Sequence, residues 1–469
     1  MKQLLFAMLA AVAVCSLSFA QQEKTIERHI PVKSSQHIEL RDFSATEINF
    51  KSWDKNEVYI SLKIEFESSS HEYEDEYIKK IDIEQDEKDG GLILTLKKPV
   101  QHSSFSWSNL LRLRFFSYTS GRISGEIYVP QTNPLKLEAN YSKVSIASIT
   151  GELSLEGKSS TIHLRNCSSV GDIENDYGTT TLEQCGGSLH LTSKSSKITV
   201  DTFDGPVNLD ADYATVKLYE ITKGTEVSSK SATISSEHIG GGLKIYADYS
   251  NLTINDVKGF VDVQDQSGTL RVRSVEGIKV NAPYANIEIA SVDGKSGKPI
   301  SIKGQSGKLN LENITGDVSI DDPYSPIELR TIRGNVDVRT RSAKLSADDV
   351  IGNLHAQTEY TTFDIGDIIA DTIFISDKSS SIELNLRRTP RRVEIRNEYG
   401  NVSVHLPESY SGEMNLKVSY GKIKSDLPLD VQELGSSAFF VGKLGDRKNS
   451  MAISTSSGNI YLKIRSDGR

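Results

Sequence analysis

The chain has 469 residues, a formal net charge of −9 and a pI of about 5.6. That acidic balance argues against nucleic acid as a partner, because phosphate binding needs a basic face. The length alone suggests two or three domains, unless the chain is a repeat array, which need not follow that prior.

Residues 1–20 read as a secretory signal peptide. Lys2 gives a basic start, Leu4 to Val14 an apolar run too short to span a bilayer, and Ser18-Phe19-Ala20 a small-x-small cleavage signal. Cys15 follows the bulky Val14, so cleavage between Ala20 and Gln21 is expected rather than lipidation. No later stretch is apolar enough for a transmembrane span. The mature chain is therefore expected to be exported and periplasmic, outer-membrane-associated or extracellular.

Residues 21–134 are expected to form a β-rich N-terminal capping domain. Ile38, Leu40, Ile48, Phe50, Val58, Ile60, Leu62 and Ile64 alternate as strands do, with Trp53-Asp54-Lys55-Asn56 as a turn. Glu72 to Lys80 suggests a short acidic helix, and the acidic run to Glu87 a solvated face. Asp89-Gly90-Gly91 signals a hairpin between Ile81–Glu84 and Leu92–Leu96. Leu113, Phe115, Ile127 and Val129 supply further strand. Such a domain would cover a sheet end that otherwise invites edge pairing.

Residues 135–424 repeat. Tyr141, Tyr177, Tyr213 and Tyr249 are 36 residues apart, with Ser159, Ser195 and Ser231 midway. The column continues, with small insertions, through Ser267, Tyr284, Ser306, Tyr324, Ser342, Tyr360, Ser379, Tyr399 and Tyr420. Paired aliphatics precede it (Leu153/Leu155, Val207/Leu209) and follow it (Ile162/Leu164, Val216/Leu218), and a glycine usually closes the unit. Two half-buried strands per unit at a fixed period predict an all-β, parallel β-solenoid, with a right-handed β-helix preferred. The residue before the column runs Lys158, Asp176, Lys194, Asp212, Lys230, Asp248. Coils of about 18 residues place acid beside base, whereas 36 would stack like charges, which destabilises; the 18-residue coil is expected, with ion pairs along this row.

Two readings of the tyrosines stay open. Tyr141, Tyr177, Tyr213, Tyr249, Tyr284, Tyr324, Tyr360 and Tyr399 form a candidate ligand face if their rings stand in solvent, where a row could stack on successive sugars. The expected arrangement is the plainer one, rings packed at a corner over Ser and Gly. Cys167 and Cys185 lie one coil apart at a position that elsewhere holds Ile149, Ile221 or Val257, so both should point inward on neighbouring rungs. They form either a disulfide, for which the rung spacing suffices, or a stacked pair of thiols.

Residues 425–469 read as a C-terminal cap with a last hairpin around Ser457-Gly458. Arg387, Arg388, Arg391 and Arg392 beside Pro390 read as an exposed loop rather than an anion site.

At this point the residues resemble a family. The export signal, the stretch Ile48-Asn49-Phe50-Lys51-Ser52-Trp53-Asp54 leading into Val58-Tyr59-Ile60, and the Tyr-Gly/Ala/Ser-x-aliphatic units resemble the bacterial putative-adhesin family, whose relatives include auto-transporter adhesin-head-like exported proteins of the Bacteroides group. The resemblance implies a β-helical exported protein with an adhesive role, and it brings no active-site residues.

Chemistry that would make the solenoid an enzyme is not visible. The outward positions Ser145, His163, Thr181, Thr199, Lys217 and Arg271 are mixed and polar, without the focused carboxylates of a glycoside hydrolase. The nine histidines show no metal-ligand spacing, and Asp321-Asp322 reads as a turn. No cofactor is expected. The favoured function is an exported, non-enzymatic, adhesin-like or structural binding protein at the cell surface or in the periplasm. The alternatives are a glycan-binding module using the tyrosine column and, behind it, a polysaccharide-active β-helix enzyme. Partners would be a surface glycan or a protein; the repeat says nothing of oligomeric state.

Overall fold

In each repeat, alternation of apolar and polar residues makes two short strands whose apolar side faces inward. Leu153–Lys158 and Thr161–Arg165 are such a pair: Leu153, Leu155, Ile162 and Leu164 are buried, and a turn at Ser159 joins the strands. A computed structural model describes residues 22–67, 78–99, 120–294, 297–445 and 448–465. The expected signal peptide with its Ala20–Gln21 junction, most of the Glu72–Lys80 helix, and Leu113 and Phe115 lie outside the described residues. Residues 78–80, at the end of the expected helix, are helical.

Register settles the coil length. Leu153 lies opposite Leu135 in a parallel ladder, and Thr161 lies between Lys143 and Thr179. Each partner is 18 residues away, so the chain is a parallel β-solenoid of about 15 turns at about 18 residues per turn, with almost no helix. The coil shortens to 17 residues where Ser267 faces Tyr284. It lengthens to 22 where Asn286 faces Lys308, the extra residues leaving between Asp293 and Ile300.

In the coils from Tyr141 to Asp256, two corners are made by single residues in the left-handed region. At the first, Tyr141, Ser159, Tyr177, Ser195, Tyr213, Ser231 and Tyr249 have φ of 50–58°. At the second, Ser148, Asn166, Gln184, Thr202, Glu220, His238 and Asp256 have φ of 50–60°. Beyond the second corner one more inward residue closes the core, in the stack Ile149, Cys167, Cys185, Phe203, Ile221, Ile239 and Val257. The closing glycines sit where rungs approach most tightly. A Cβ on Gly205, at φ 150°, would lie 1.9 Å from the Gly187 carbonyl oxygen.

Both ends are interlaced. At the N-terminal end, Ile38–Arg41 lies between Leu135–Glu138 and Gly91–Lys97, and Glu47–Trp53 lies between Lys143–Ala147 and Ser120–Pro130. The rung made first in sequence is thus second in space. Glu57–Glu67 and then Gln22–Pro31 extend one face outward in antiparallel fashion. Asp82–Lys88 does so on the other, through the expected hairpin, with Asp89 and Gly90 both left-handed.

The C-terminal end repeats the device. Ser450–Ser457 lies between Arg392–Tyr399 and Gly412–Tyr420, parallel to both, and Ile460–Ile464 lies between Val402–Leu406 and Ile423–Ser425. The expected hairpin at Ser457-Gly458 is therefore wrong. The two strands flanking it do not pair with each other, and Gly458, at φ 142°, turns a solenoid corner. The antiparallel hairpin of this region is Gln432–Leu434 with Ser437–Leu444, laid against Gly412–Tyr420.

The interlaced rung is testable. A chain truncated after Leu444 leaves Arg392–Tyr399 and Gly412–Tyr420 facing an empty slot. Hydrogen exchange should then show protection lost across 412–425 and kept across 153–265. Full protection of 412–425 in the truncated chain would show that the inserted rung does not hold the end.

A tyrosine ridge as candidate ligand face

The corner that carries the tyrosines is a continuation of the sheet. The Tyr141 N–H donates to the Lys158 carbonyl at 2.8 Å, Ser159 to Asp176 at 2.7 Å, Tyr177 to Lys194 at 2.8 Å and Tyr213 to Lys230 at 2.7 Å. Keeping that ladder through a sharp bend demands the left-handed conformation. The next residue must be small, since a Cβ on Gly178 would lie 2.3 Å from the Ser160 carbonyl oxygen.

The same bend aims the column side chain outward. Tyr141 is 70% exposed, Tyr213 62%, Tyr249 63%, Tyr284 50% and Tyr324 45%; Tyr177, Tyr360, Tyr399 and Tyr420 are exposed as well. Rings packed over the corner are thus excluded. The structure brings all eight candidate tyrosines onto one edge, two rungs or about 9.6 Å apart where Tyr and Ser alternate regularly. A left-handed conformation costs an L-residue about 1–2 kcal/mol, less for Gly or Asn. Tyr141, Tyr177, Tyr213 and Tyr249 bear that cost without burying their rings.

Beside the ridge runs a hollow of about 550 Å³, lined in part by Lys194, Asp212, Lys230, Asp248 and Tyr246. Acid does neighbour base, as Lys230 opposite Asp248 shows. The expected ion pairs do not form, however. Asp176 instead accepts the Lys194 peptide N–H at 2.8 Å. A short carboxylate one residue before the bend turns back onto the backbone of the next rung, while the longer lysine extends into water. Tyr246 escaped the sequence reading because it stands three residues before the column, where other rungs carry Ser228 or Gln264.

Under the bend lies a buried polar row two residues before the column. Asn175 donates to the Ser160 carbonyl at 3.0 Å, and Asn397 to that of Ser380 at 2.9 Å. Asp322 accepts the Ser325 N–H at 3.1 Å, so the turn starts at Asp322, while Asp321, expected to share it, ends the strand Val318–Asp321. Asp377 accepts the Thr361 N–H at 3.2 Å and the Ser380 hydroxyl at 2.9 Å. Asp265 differs. It is 2% exposed, Ala247 lies opposite it on the neighbouring rung, and neither carboxylate oxygen has a hydrogen-bond partner; the N–H groups of Ser250, Gln266 and Ser267 face it without closing a bond. Burial lifts its carboxyl to about 6.

Cys167 and Cys185 are stacked on neighbouring rungs, as their spacing predicted. Both are buried free thiols, with the Cys167 S–H facing the Arg165 carbonyl at 3.5 Å and the Cys185 S–H the Glu183 carbonyl at 3.3 Å. The neighbouring Cys167 thiol, with burial, raises the Cys185 thiol well above its ordinary range. The arginine cluster is largely neutralised: Arg387 pairs with Asp367, Arg388 with Asp371 and Arg392 with Glu394. Among the described residues, no three His, Cys, Asp or Glu side chains come together as a metal-binding group. No helix among them is long and apolar enough to cross a membrane.

Stacked rungs with one repeated, outward-facing aromatic edge define a β-solenoid rod that offers the same contact many times over. The chain belongs to the Toastrack DUF4097 family, whose model matches residues 171–463. That match supports the resemblance at family level and does not single out the Bacteroides group. A solved structure, a putative cell adhesion protein from Clostridium sporogenes, is 10% identical over 95% of this chain and 100% of its own. Its TM-score is 0.16, so nothing about this chain follows from it. No curated protein matches the chain.

Two expectations follow from the corner. Tyr213→Asn relieves a left-handed tyrosine and removes an exposed ring, so thermal unfolding should show a gain of up to about 1 kcal/mol. A loss of more than that would mean the ring holds the corner. For Asp265 the folded pKa lies above the unfolded value of about 3.9. The fold therefore binds the extra proton, and this contribution is complete below pH ~4 and lost as pH rises to ~6. Asp265→Asn, the residue type already at 175 and 397, should raise stability at pH 7 by about 1–3 kcal/mol and flatten the pH 4–6 dependence in denaturant titrations.

Proposed function

We propose that this chain is an exported, non-enzymatic, adhesin-like rod of the cell surface or periplasm, with the tyrosine ridge as its contact surface. The observation that carries the reading is the exposure of ring after ring along one edge, four of them (Tyr141, Tyr177, Tyr213 and Tyr249) in a conformation that tyrosine adopts at a cost. An element kept for packing would bury its rings. The family match over most of the solenoid is compatible with this role and assigns no chemistry.

An extended polysaccharide is the ligand the ridge suits best. Sugar rings offer flat CH faces to aromatic rings, and a spacing of about 9.6 Å is close to the repeat of an extended β-linked disaccharide. Lys194, Asp212, Lys230 and Asp248, free of ion pairs with one another, stand beside the rings as hydrogen-bonding groups for hydroxyls.

Sedimentation with insoluble cellulose, chitin and xylan tests the proposal. The wild-type chain should be retained on at least one of them. The triple variant with Tyr213, Tyr249 and Tyr284 changed to Ala should lose retention by about tenfold or more, at about 1.4 kcal/mol per decade, with its melting temperature unchanged. Equal retention of the triple variant would remove the ridge from the mechanism, and no retention of the wild type on any of the three would remove the polysaccharide.

A further inference from the structure

A second aromatic feature lies at the N-terminal end, on the outer face of the sheet made by Glu57–Glu67, Ser120–Pro130 and Glu47–Trp53. Tyr59 and Tyr128 are cross-strand partners with ring centroids 6.0 Å apart. Trp53 joins them from the next strand, at 5.1 Å from Tyr128 and 6.2 Å from Tyr59. The indole is held in place by its N–H, which donates to the Glu57 carbonyl at 2.8 Å. Further along the same strands the outward residues become small, Ser61 and Ser124. Aromatic wall and hydroxyl floor thereby enclose a hollow of about 660 Å³, within the range of small-molecule sites.

The charges around the hollow are already satisfied. Glu126 accepts from Lys51 at 2.6 Å and from the Tyr128 hydroxyl at 2.9 Å, and Lys63 pairs with Glu23 at 2.9 Å and Glu65 at 2.6 Å. Cations already stand against two of the rings, and His29 lies 4.5 Å from Tyr59. The Lys55 ammonium stands 4.5 Å from the Trp53 ring and that of Lys51 5.5 Å from the Tyr128 ring. What the hollow still offers is a half-buried aromatic surface and unspent hydroxyls. Both sides of a neutral pyranose match that offer, its CH face to the ring surface left open and its hydroxyl edge to Ser61 and Ser124.

We infer that this hollow is a binding site for a neutral disaccharide unit, separate from the ridge. A shallow site with few polar contacts should hold such a ligand in the millimolar range.

The chain has two tryptophans, Trp53 and Trp107. In the full-length Trp107→Phe protein, Trp53 is the only indole reporter. Titration with cellobiose and with N,N′-diacetylchitobiose should give a saturable change in its emission with at least one of them. The response should weaken about tenfold with Tyr128→Ala and persist in the ridge triple variant. Ser61→Gln, which fills the floor without touching the aromatics, should abolish it even if Tyr128→Ala disturbs the sheet; circular dichroism checks each fold. No saturable change with either sugar overturns the inference, as does a response that survives Ser61→Gln. Saturation by choline in place of the sugars would overturn the ligand class.

Discussion

Everything in this chain depends on a backbone ladder that does not stop at the corner. Peptide groups such as those of Tyr141 and Lys158 stay hydrogen-bonded from rung to rung through the bend, so the coils from Tyr141 to Tyr249 bend at the same place. That requirement produces the left-handed column, the small residue after it and the buried hydrogen-bonding row beneath it. The outward tyrosines are a by-product of the same geometry. Once the bend is fixed, its side chain has only one direction to take, and the sequence is free to choose what it presents there. Because each rung pairs mainly with a segment 18 residues away, closing one rung on the next takes little loop entropy, and the array can lengthen by repetition alone.

Much of this could be read from residues. The i, i+2 aliphatics flanking each column residue, together with the alternating Lys and Asp, were enough for strand, face and coil length. The placement of Cys167 and Cys185 followed from them. The direction of the tyrosine rings could not be read, because tyrosine is an uncommon choice for a left-handed position and its alternation with serine imitates close packing. The end rungs were hidden for another reason. A period reveals a rung only when neighbours in space are neighbours in sequence, and residues 38–53 and 450–464 are not. A local signal did exist for the second: Gly400-Asn401-Val402, Gly421-Lys422-Ile423 and Gly458-Asn459-Ile460 share one corner signature. The aromatic hollow had no such signal, since Trp53, Tyr59 and Tyr128 meet only through pairing of strands far apart in the chain.

The two ends also answer the standing hazard of an open sheet. A solenoid cut square would expose two faces of unpaired peptide groups. Here the last sequential rung is not the last in space, and antiparallel strands cover what lies beyond it. At the C-terminal end the outermost strand is only Gln432–Leu434, a short edge that offers little template to another chain. At the N-terminal end the covering strand Gln22–Pro31 carries Glu23, Lys24, Glu27 and Arg28, charges that discourage edge-to-edge pairing.

Interlacing has a mechanical meaning as well. Pulling on the last strand of an ordinary stack peels it away one hydrogen bond at a time, with a single neighbour resisting. Ser450–Ser457 and Ile460–Ile464 are gripped on both sides along parallel ladders. A load along those strands must shear two rows of bonds together before anything yields. The outer rung of residues 412–425 is tied to the rest by the strand it encloses, so tension is shared across three rungs at once. A rod fastened in this way resists unravelling from its tip through topology, without any covalent clamp.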